Sequence, residues 1–185
     1  MKTPKSIPLI LVLAIASAMA ISCNQQQKKH SHGDSDGHNH DAMHTDHNGQ
    51  DGLAFKNGEL KSSFDQYILV QQALTATDFD KAKSNALILL SLIKKIDGAD
   101  KASGAVQKLT EAGNIDEQRA AFSDLSNELL ALVKGNLSSG ELFVAHCPMA
   151  LNNSGAYWIT QVNEIKNPYF GDKMLKCGAV KETLN

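Results

Sequence analysis

Hydrophobic positions between Gly58 and Leu137 recur with helical spacing in four stretches, separated by short polar or glycine-containing connections. Apolar residues three or four apart are typical of amphipathic helices that turn one face towards a core. The four stripes are Leu60, Phe64, Tyr67, Ile68 and Leu74; Ala82, Ala86, Leu89, Ile93 and Ile96; Ala102, Val106 and Leu109; and Ile115, Phe122, Leu125, Leu129, Leu132 and Val133. Because the connections are short, neighbouring helices should run antiparallel. The pattern predicts an all-α domain over residues 58–185, an up-and-down four-helix bundle with a C-terminal loop or flap.

Capping residues support these helices. Thr77 or Asp78 can cap the second helix, and Asn114 or Asp116 can begin the fourth. The sequence shows no alternating β pattern of any length. None of the helices carries an inward histidine or a Glu-x-x-His motif, which argues against a metal centre inside the bundle.

The first 22 residues have the pattern of an export signal. Lys2 and Lys5 precede an apolar run over residues 7–21, which is too short for a membrane-spanning helix. The ending Ala-Ile-Ser-Cys resembles a bacterial lipobox, which implies lipidation of Cys23; an ordinary signal peptide with a chance cysteine is the alternative. We therefore expect a protein anchored by lipid in the envelope of a Gram-negative bacterium, on the outer membrane or facing the periplasm.

Residues 23–57 lack hydrophobic periodicity and are rich in histidine and aspartate, which predicts a disordered tail. The tail holds six of the seven histidines: His30, His32, His38, His40, His44 and His47. Neutral imidazoles on a flexible chain can bind Cu(II) or zinc. A solvated spacer that happens to be rich in histidine is the alternative.

The formal net charge is −2 and there is no basic block, so a nucleic-acid partner is not expected. No acid/base pair, phosphate loop or catalytic triad is visible either. We therefore expect a protein that is not an enzyme.

The segment from His146 to Cys177 holds the remaining chemistry. It contains Cys147 and Cys177, with Met149 and Met174 close to them in sequence. Thiolates and thioethers select Cu(I) over harder ions. These four residues are the predicted metal ligands, with His146 as a further ligand or an outer-shell group.

A disulfide explains the same two cysteines equally well. Lipidation of Cys23 would leave a single pair in an oxidising compartment. Closing a loop of this length stabilises a fold by roughly 3–4 kcal/mol in the loop-entropy model. The methionines would then pack against Trp158 and Phe170.

The motifs of this segment also carry a family resemblance. The runs His-Cys-Pro-Met-Ala, Gly-Ala-Tyr-Trp and Asn-Pro-Tyr-Phe-Gly-Asp-Lys-Met-Leu-Lys-Cys-Gly resemble a bacterial domain of unknown function. That domain occurs in small lipoproteins and appended to periplasmic adaptors of copper/silver (heavy-metal) efflux pumps, and the likeness extends from about Leu60 to the C-terminus. The Cys-Pro-Met run is also similar to the heavy-metal-binding segment of such adaptors and of copper-exporting ATPases. The resemblance implies heavy-metal handling, with an efflux adaptor as a partner.

Two functions follow as expectations. The first is a lipoprotein that binds heavy metal, copper above all, for buffering, resistance or delivery to an efflux system. The second is an interaction module whose C-terminal flap is closed by a disulfide. It would dock an adaptor through exposed aromatic residues, namely Tyr157, Trp158, Tyr169 and Phe170.

Overall fold

The computed structural model describes residues 52–185. The domain has four long helices: α1 (Gly58–Thr75), α2 (Phe79–Ile93), α3 (Asp100–Glu111) and α4 (Ile115–Val133). The shorter elements are β1 (Ala54–Phe55), β2 (Leu137–Ser139), β3 (Leu142–Cys147), α5 (Ala150–Asn153), β4 (Ala156–Thr160), a 3₁₀ turn (Gly171–Lys173) and β5 (Ala179–Leu184). The predicted signal peptide, the lipidation site Cys23 and the histidines from His30 to His47 lie outside the described residues.

The four predicted helices are confirmed. Each helix packs against the next along the chain, and α1 also contacts α4. Asp78 caps α2 by accepting the N–H of Lys81, and Asn114 caps α4 by accepting the N–H groups of Asp116 and Glu117. Among the described helices, none has the length and apolar character needed to cross a bilayer.

The all-α fold class is wrong. β1 and β2 form a two-stranded antiparallel ribbon, and β4, β3 and β5 form an antiparallel sheet with β3 in the centre. The segment that was expected to be a C-terminal loop or flap therefore contains the three strands of this sheet. β1 also lies within residues that the sequence assigned to the tail. The described part of the chain is a mixed α and β domain.

Burial explains why the strands escaped the sequence pattern. Alternation of apolar and polar residues marks a strand only when one face meets water. β3 is buried on both faces, so Leu-Phe-Val-Ala reads as a continuous apolar run that a loop could also show. β5 has the opposite character, because most of it is exposed and its two partly buried residues are Val180 and Leu184.

A row of aromatic rings joins the sheet to the helices in one core. Tyr67 of α1 stacks on Phe122 of α4 with ring centroids 4.9 Å apart. Phe122 lies 6.0 Å from Tyr169, and Tyr169 lies 6.0 Å from Trp158 of β4. The C-terminal sheet is thus part of the same hydrophobic cluster as the bundle.

Side chains of α1 cover the outer edge of β4. The Tyr67 hydroxyl accepts the N–H of Ile159 at 3.1 Å and shares a 2.8 Å hydrogen bond with the Ser126 hydroxyl. Burial raises the pKa of Tyr67 above its usual value, so the hydroxyl stays protonated. With its amide oxygen turned to the Trp158 indole N–H, Gln71 donates to the Ile159 carbonyl at 3.2 Å. The N–H and the carbonyl of Ile159, which would otherwise be unpaired at the edge of the sheet, therefore both have hydrogen-bond partners.

Tyr67→Phe should lower the free energy of unfolding by about 1–3 kcal/mol, because it leaves the Ile159 N–H buried without an acceptor. Urea denaturation measures the change. Tyr157→Phe is the matched control, since Tyr157 is 41% exposed and its loss should change stability by less than about 0.5 kcal/mol. Equal effects of the two substitutions would show that the Tyr67 hydroxyl does not support the strand edge.

Candidate functional site

Cys147 and Cys177 lie side by side, with their sulfur atoms 2.7 Å apart and both thiols free. Cys147 is the last residue of β3, and Cys177 comes two residues before β5. β3 and β5 pair antiparallel with His146 opposite Ala179, which carries both cysteines to the same end of the sheet. Strand pairing therefore brings together two predicted site residues that are 30 positions apart.

The two sulfurs have different surroundings. Cys147 is fully buried, whereas Cys177 is partly exposed. The hydrogen bond shared with Cys147 is the main cause that raises the pKa of the Cys177 thiol, and burial adds to it. The backbone N–H of Met149 acts in the opposite direction, because it donates a hydrogen bond to the Cys177 sulfur. The pair thus has one sealed sulfur and one that the surroundings can reach.

Asn167 fixes the backbone of Cys177. Its side chain is fully buried; Nδ2 donates to the Cys177 carbonyl and Oδ1 accepts the N–H of Tyr169, each at 2.8 Å. The Asn167 backbone N–H also donates to the Leu175 carbonyl at 2.9 Å. These bonds join the two ends of the loop over residues 167–177, so hydrogen bonds as well as packing place the second cysteine.

Arg119 attaches the same loop to the helices. This buried residue is the chain's only arginine, and its Nε donates to the Pro168 carbonyl at 3.0 Å. Its Nη2 donates to the Leu74 carbonyl at 3.4 Å and to the Thr77 hydroxyl at 3.2 Å. Leu74 lies in the last turn of α1, where the helix dipole favours a cation. Arg119 therefore connects the cysteine loop to the junction between α1 and α2.

A left-handed stretch of backbone follows Met149. Leu151, Asn152 and Asn153 have φ values of 51°, 58° and 67°. Asparagine adopts this region with some ease, but leucine rarely does, and the left-handed form costs about 1–2 kcal/mol per residue. The Asn153 N–H donates to the Met149 carbonyl at 3.3 Å and closes the turn. Strained backbone of this kind clusters at functional sites, and here it adjoins the amide that contacts the Cys177 sulfur.

His146 is separated from the cysteine pair. Successive residues of a strand point to opposite faces of the sheet, so His146 and Cys147 face away from each other. The His146 ring instead packs on Tyr157, its partner on β4, with ring centroids 4.3 Å apart. The structure thus places this predicted ligand on the other side of the sheet from Cys147.

The two methionines flank the pair on turns. Met149 follows Cys147 and Pro148 and is 47% exposed, and Met174 is partly buried. The Cys177 N–H donates to the Met174 carbonyl at 3.0 Å, so a hydrogen-bonded turn links these two residues. Within residues 52–185, no group of three or more His, Cys, Asp or Glu side chains is arranged to hold a metal ion.

The aromatic residues divide between core and surface. Trp158 is fully buried and Tyr169 nearly so, whereas Phe170 is partly buried and Tyr157 is exposed. Trp158 and Tyr169 therefore cannot present a docking surface in this conformation. Tyr157 retains an accessible ring.

Sequence reasoning missed the residues that support the cysteines. Asn167 stands before a proline, a position typical of a turn in which the asparagine side chain accepts a backbone N–H. Arg119 had a compositional signal, because every other cationic residue among the 18 lysines and arginines is lysine. A single arginine where all other cations are lysine indicates a need for its planar, multiply donating head group.

A family model described as "Protein of unknown function (DUF3347)" matches residues 64–140. The match runs from within α1 to just before β3 and ends ahead of Cys147. A domain of unknown function is thus found over residues 64–140, which form part of the expected stretch from about Leu60 to the C-terminus. No curated protein and no solved structure matches the chain.

Proposed function

We propose that this protein binds a soft metal ion, with Cu(I) as the first candidate, through the thiolates of Cys147 and Cys177. The observation that supports the proposal is the meeting of two free sulfurs from separate segments, held by β3 and by the Asn167 loop. Thiolates are the ligands that select Cu(I) over harder ions. The proposed role is metal binding.

Binding requires a small movement. Two thiolates on one zinc ion, with tetrahedral geometry and bonds of about 2.3 Å, lie about 3.8 Å apart, so an ion bound in that way would need the sulfurs to separate by about 1 Å from their present 2.7 Å. Cys177 is the partner that can move, because it lies in a partly exposed loop while Cys147 is sealed in β3. Both thiols must lose a proton to ligate, so affinity should fall as pH falls. Met149 and Met174, which are close to the two cysteines in sequence, are the further predicted ligands.

The remaining parts of the proposal rest on the sequence. The histidine tail would capture Cu(II) or zinc, and lipidation at Cys23 would tether the protein to the envelope membrane. The role would then be buffering, resistance or delivery of metal to the adaptor of a heavy-metal efflux pump.

The 2.7 Å separation also favours a second candidate. A disulfide bond is about 2.05 Å long, so the sulfurs need to approach by only about 0.7 Å to form one. The protein would then be a disulfide-stabilised interaction module that docks to an efflux adaptor or another envelope protein. Tyr157 is the predicted docking residue that remains exposed.

A Cu(I) competition titration tests the proposal. The full chain carries Cys23→Ser and alanine in place of its six tail histidines, so that the C-terminal pair provides the only thiols. This reduced protein is compared with the same chain carrying Cys147→Ser/Cys177→Ser, or Met149→Leu/Met174→Leu. His146→Ala is the matched control, because that ring lies on the opposite face from Cys147.

We expect one ion per chain. The serine pair should weaken binding at least about a thousandfold and the leucine pair about tenfold, with no change for the histidine control. If the reduced parent chain binds no Cu(I), or binds it as well as the serine pair does, the metal proposal fails. Counting free thiols in protein isolated without reductant tests the second candidate, which requires that both be oxidised.

A further inference from the structure

We propose that Cys147 and Cys177 exchange two electrons with external disulfides, and that every exchange begins at Cys177. The activity uses the same pair as the proposed metal site but does not require that metal be bound. It follows from the unequal exposure of the two sulfurs. Cys147 has no exposed surface, so a disulfide from outside can reach only Cys177 in the folded protein.

The oxidation proceeds in two balanced steps. The Cys177 thiolate attacks one sulfur of the external disulfide; that bond breaks, one external thiol leaves with the proton from Cys177, and a mixed disulfide forms. The Cys147 thiolate then attacks the Cys177 sulfur and releases the second external thiol, which takes the proton from Cys147. Two electrons and two protons pass from the pair to the external disulfide.

The local geometry favours the second step. The second step needs Cys147 close behind Cys177, and the sulfurs are already 2.7 Å apart. Asn167 holds the Cys177 carbonyl at 2.8 Å, which keeps the loop in place while the mixed disulfide resolves.

Oxidation would also control the metal site. A disulfide has no thiolate to offer, so the oxidised pair cannot hold Cu(I) through its sulfurs. Reduction by an external thiol would run the two steps in reverse, with attack at the exposed Cys177 sulfur and Cys147 as the leaving thiolate. The redox state of the surrounding thiols would thereby set how many chains are ready to take metal.

Oxidised glutathione is the probe. The full chain with Cys23→Ser is reduced, freed of reductant and metal, and mixed with glutathione disulfide; acid-quenched samples are followed by mass spectrometry. The same reaction is run on Cys147→Ala, which leaves only Cys177, and on Cys177→Ser, which leaves only Cys147. Thermal melts check that both variants are folded.

We expect the parent chain to end as an internal disulfide. Cys147→Ala should accumulate a stable mixed disulfide, and Cys177→Ser should react at least about tenfold more slowly. In the parent chain, early quenched samples should carry glutathione on Cys177, a result that needs no variant to fold. Equal rates for the two single-cysteine chains, or early glutathione on Cys147, would overturn the order of attack. Exchange that proceeds as expected in a chain that binds no Cu(I) would refute the metal proposal alone.

Discussion

Replacing Gly171 with alanine should lower the free energy of unfolding by about 3 kcal/mol. Gly171 has φ +56°, a left-handed conformation that costs an alanine about 1–2 kcal/mol. The added Cβ would also overlap the Thr77 hydroxyl, and it would lie 2.9 Å from the Thr75 carbonyl and 3.1 Å from Nη2 of Arg119. The carbonyl is backbone, so relief requires the loop to move away from the helices.

Gly104→Ala is the matched control for this substitution. Gly104 lies inside α3, and nothing lies within 4 Å of the position its Cβ would take. Alanine should therefore stabilise the protein by about 0.5–1 kcal/mol through helix propensity. Denaturant titration of the reduced proteins gives both values. A loss below about 1 kcal/mol for Gly171→Ala would mean that the loop does not depend on its contact with the junction between α1 and α2.

The same substitution has a consequence for the cysteines. The loop that contains Gly171 also contains Asn167, whose amide holds the Cys177 carbonyl. A loop displaced from Arg119 should carry Cys177 away from Cys147 and slow the formation of their disulfide. Gly104→Ala should leave that rate unchanged, because nothing lies within 4 Å of the Cβ that it adds.

The helices were predictable because each buries apolar residues that recur at helical spacing. The spacing of Leu60, Phe64 and Tyr67 marks the buried side of α1, and all three are buried in the core. Asp78 and Asn114 could be recognised as caps from local chemistry alone, since a side-chain oxygen there satisfies free N–H groups of the first turn. Rules that use only neighbouring residues were sufficient for the helices, because helix spacing and capping depend on residues that are close in sequence.

The sheet was not predictable by the same rules. β3 is buried on both faces, so its sequence does not alternate between apolar and polar residues. Its partners β4 and β5 come later in the chain and are separated from it by loops and turns. Pairing between distant segments depends on which edges the helices leave available. The hydrogen bond from the Ile159 N–H of β4 to the Tyr67 hydroxyl also could not be predicted from the sequence near Tyr67 or near Ile159.

The candidate site was half predictable. An odd number of cysteines with a lipidation candidate pointed to Cys147 and Cys177 as a pair, and the structure brings them together. His146 points away from the pair because side chains alternate along β3. The sequence analysis treated this segment as a loop and therefore did not predict that alternation. Asn167 and Arg119 support the cysteine loop through hydrogen bonds to backbone carbonyl groups. The residue pattern near the cysteines does not predict these hydrogen bonds.

Oxidation of the Cys147–Cys177 pair should raise the free energy of unfolding by about 3–4 kcal/mol. The two residues are 30 positions apart, so a bond between them removes the entropy of that loop from the unfolded chain. The folded chain already holds the sulfurs 2.7 Å apart and should need little rearrangement to close the bond. Guanidinium denaturation of the full chain with Cys23→Ser, with and without a phosphine reductant, measures the difference.

Cys147→Ser/Cys177→Ser is the control, and its stability should be the same with and without reductant. A gain below about 1 kcal/mol on oxidation of the parent chain would show that closing the bond strains the fold. Cu(I) should stabilise the reduced chain in a different way, because stabilisation by a bound ligand grows with free ligand concentration as RT ln(1 + [L]/Kd). A gain that is independent of copper identifies the disulfide, and one that rises with copper and disappears in the serine pair identifies the metal site.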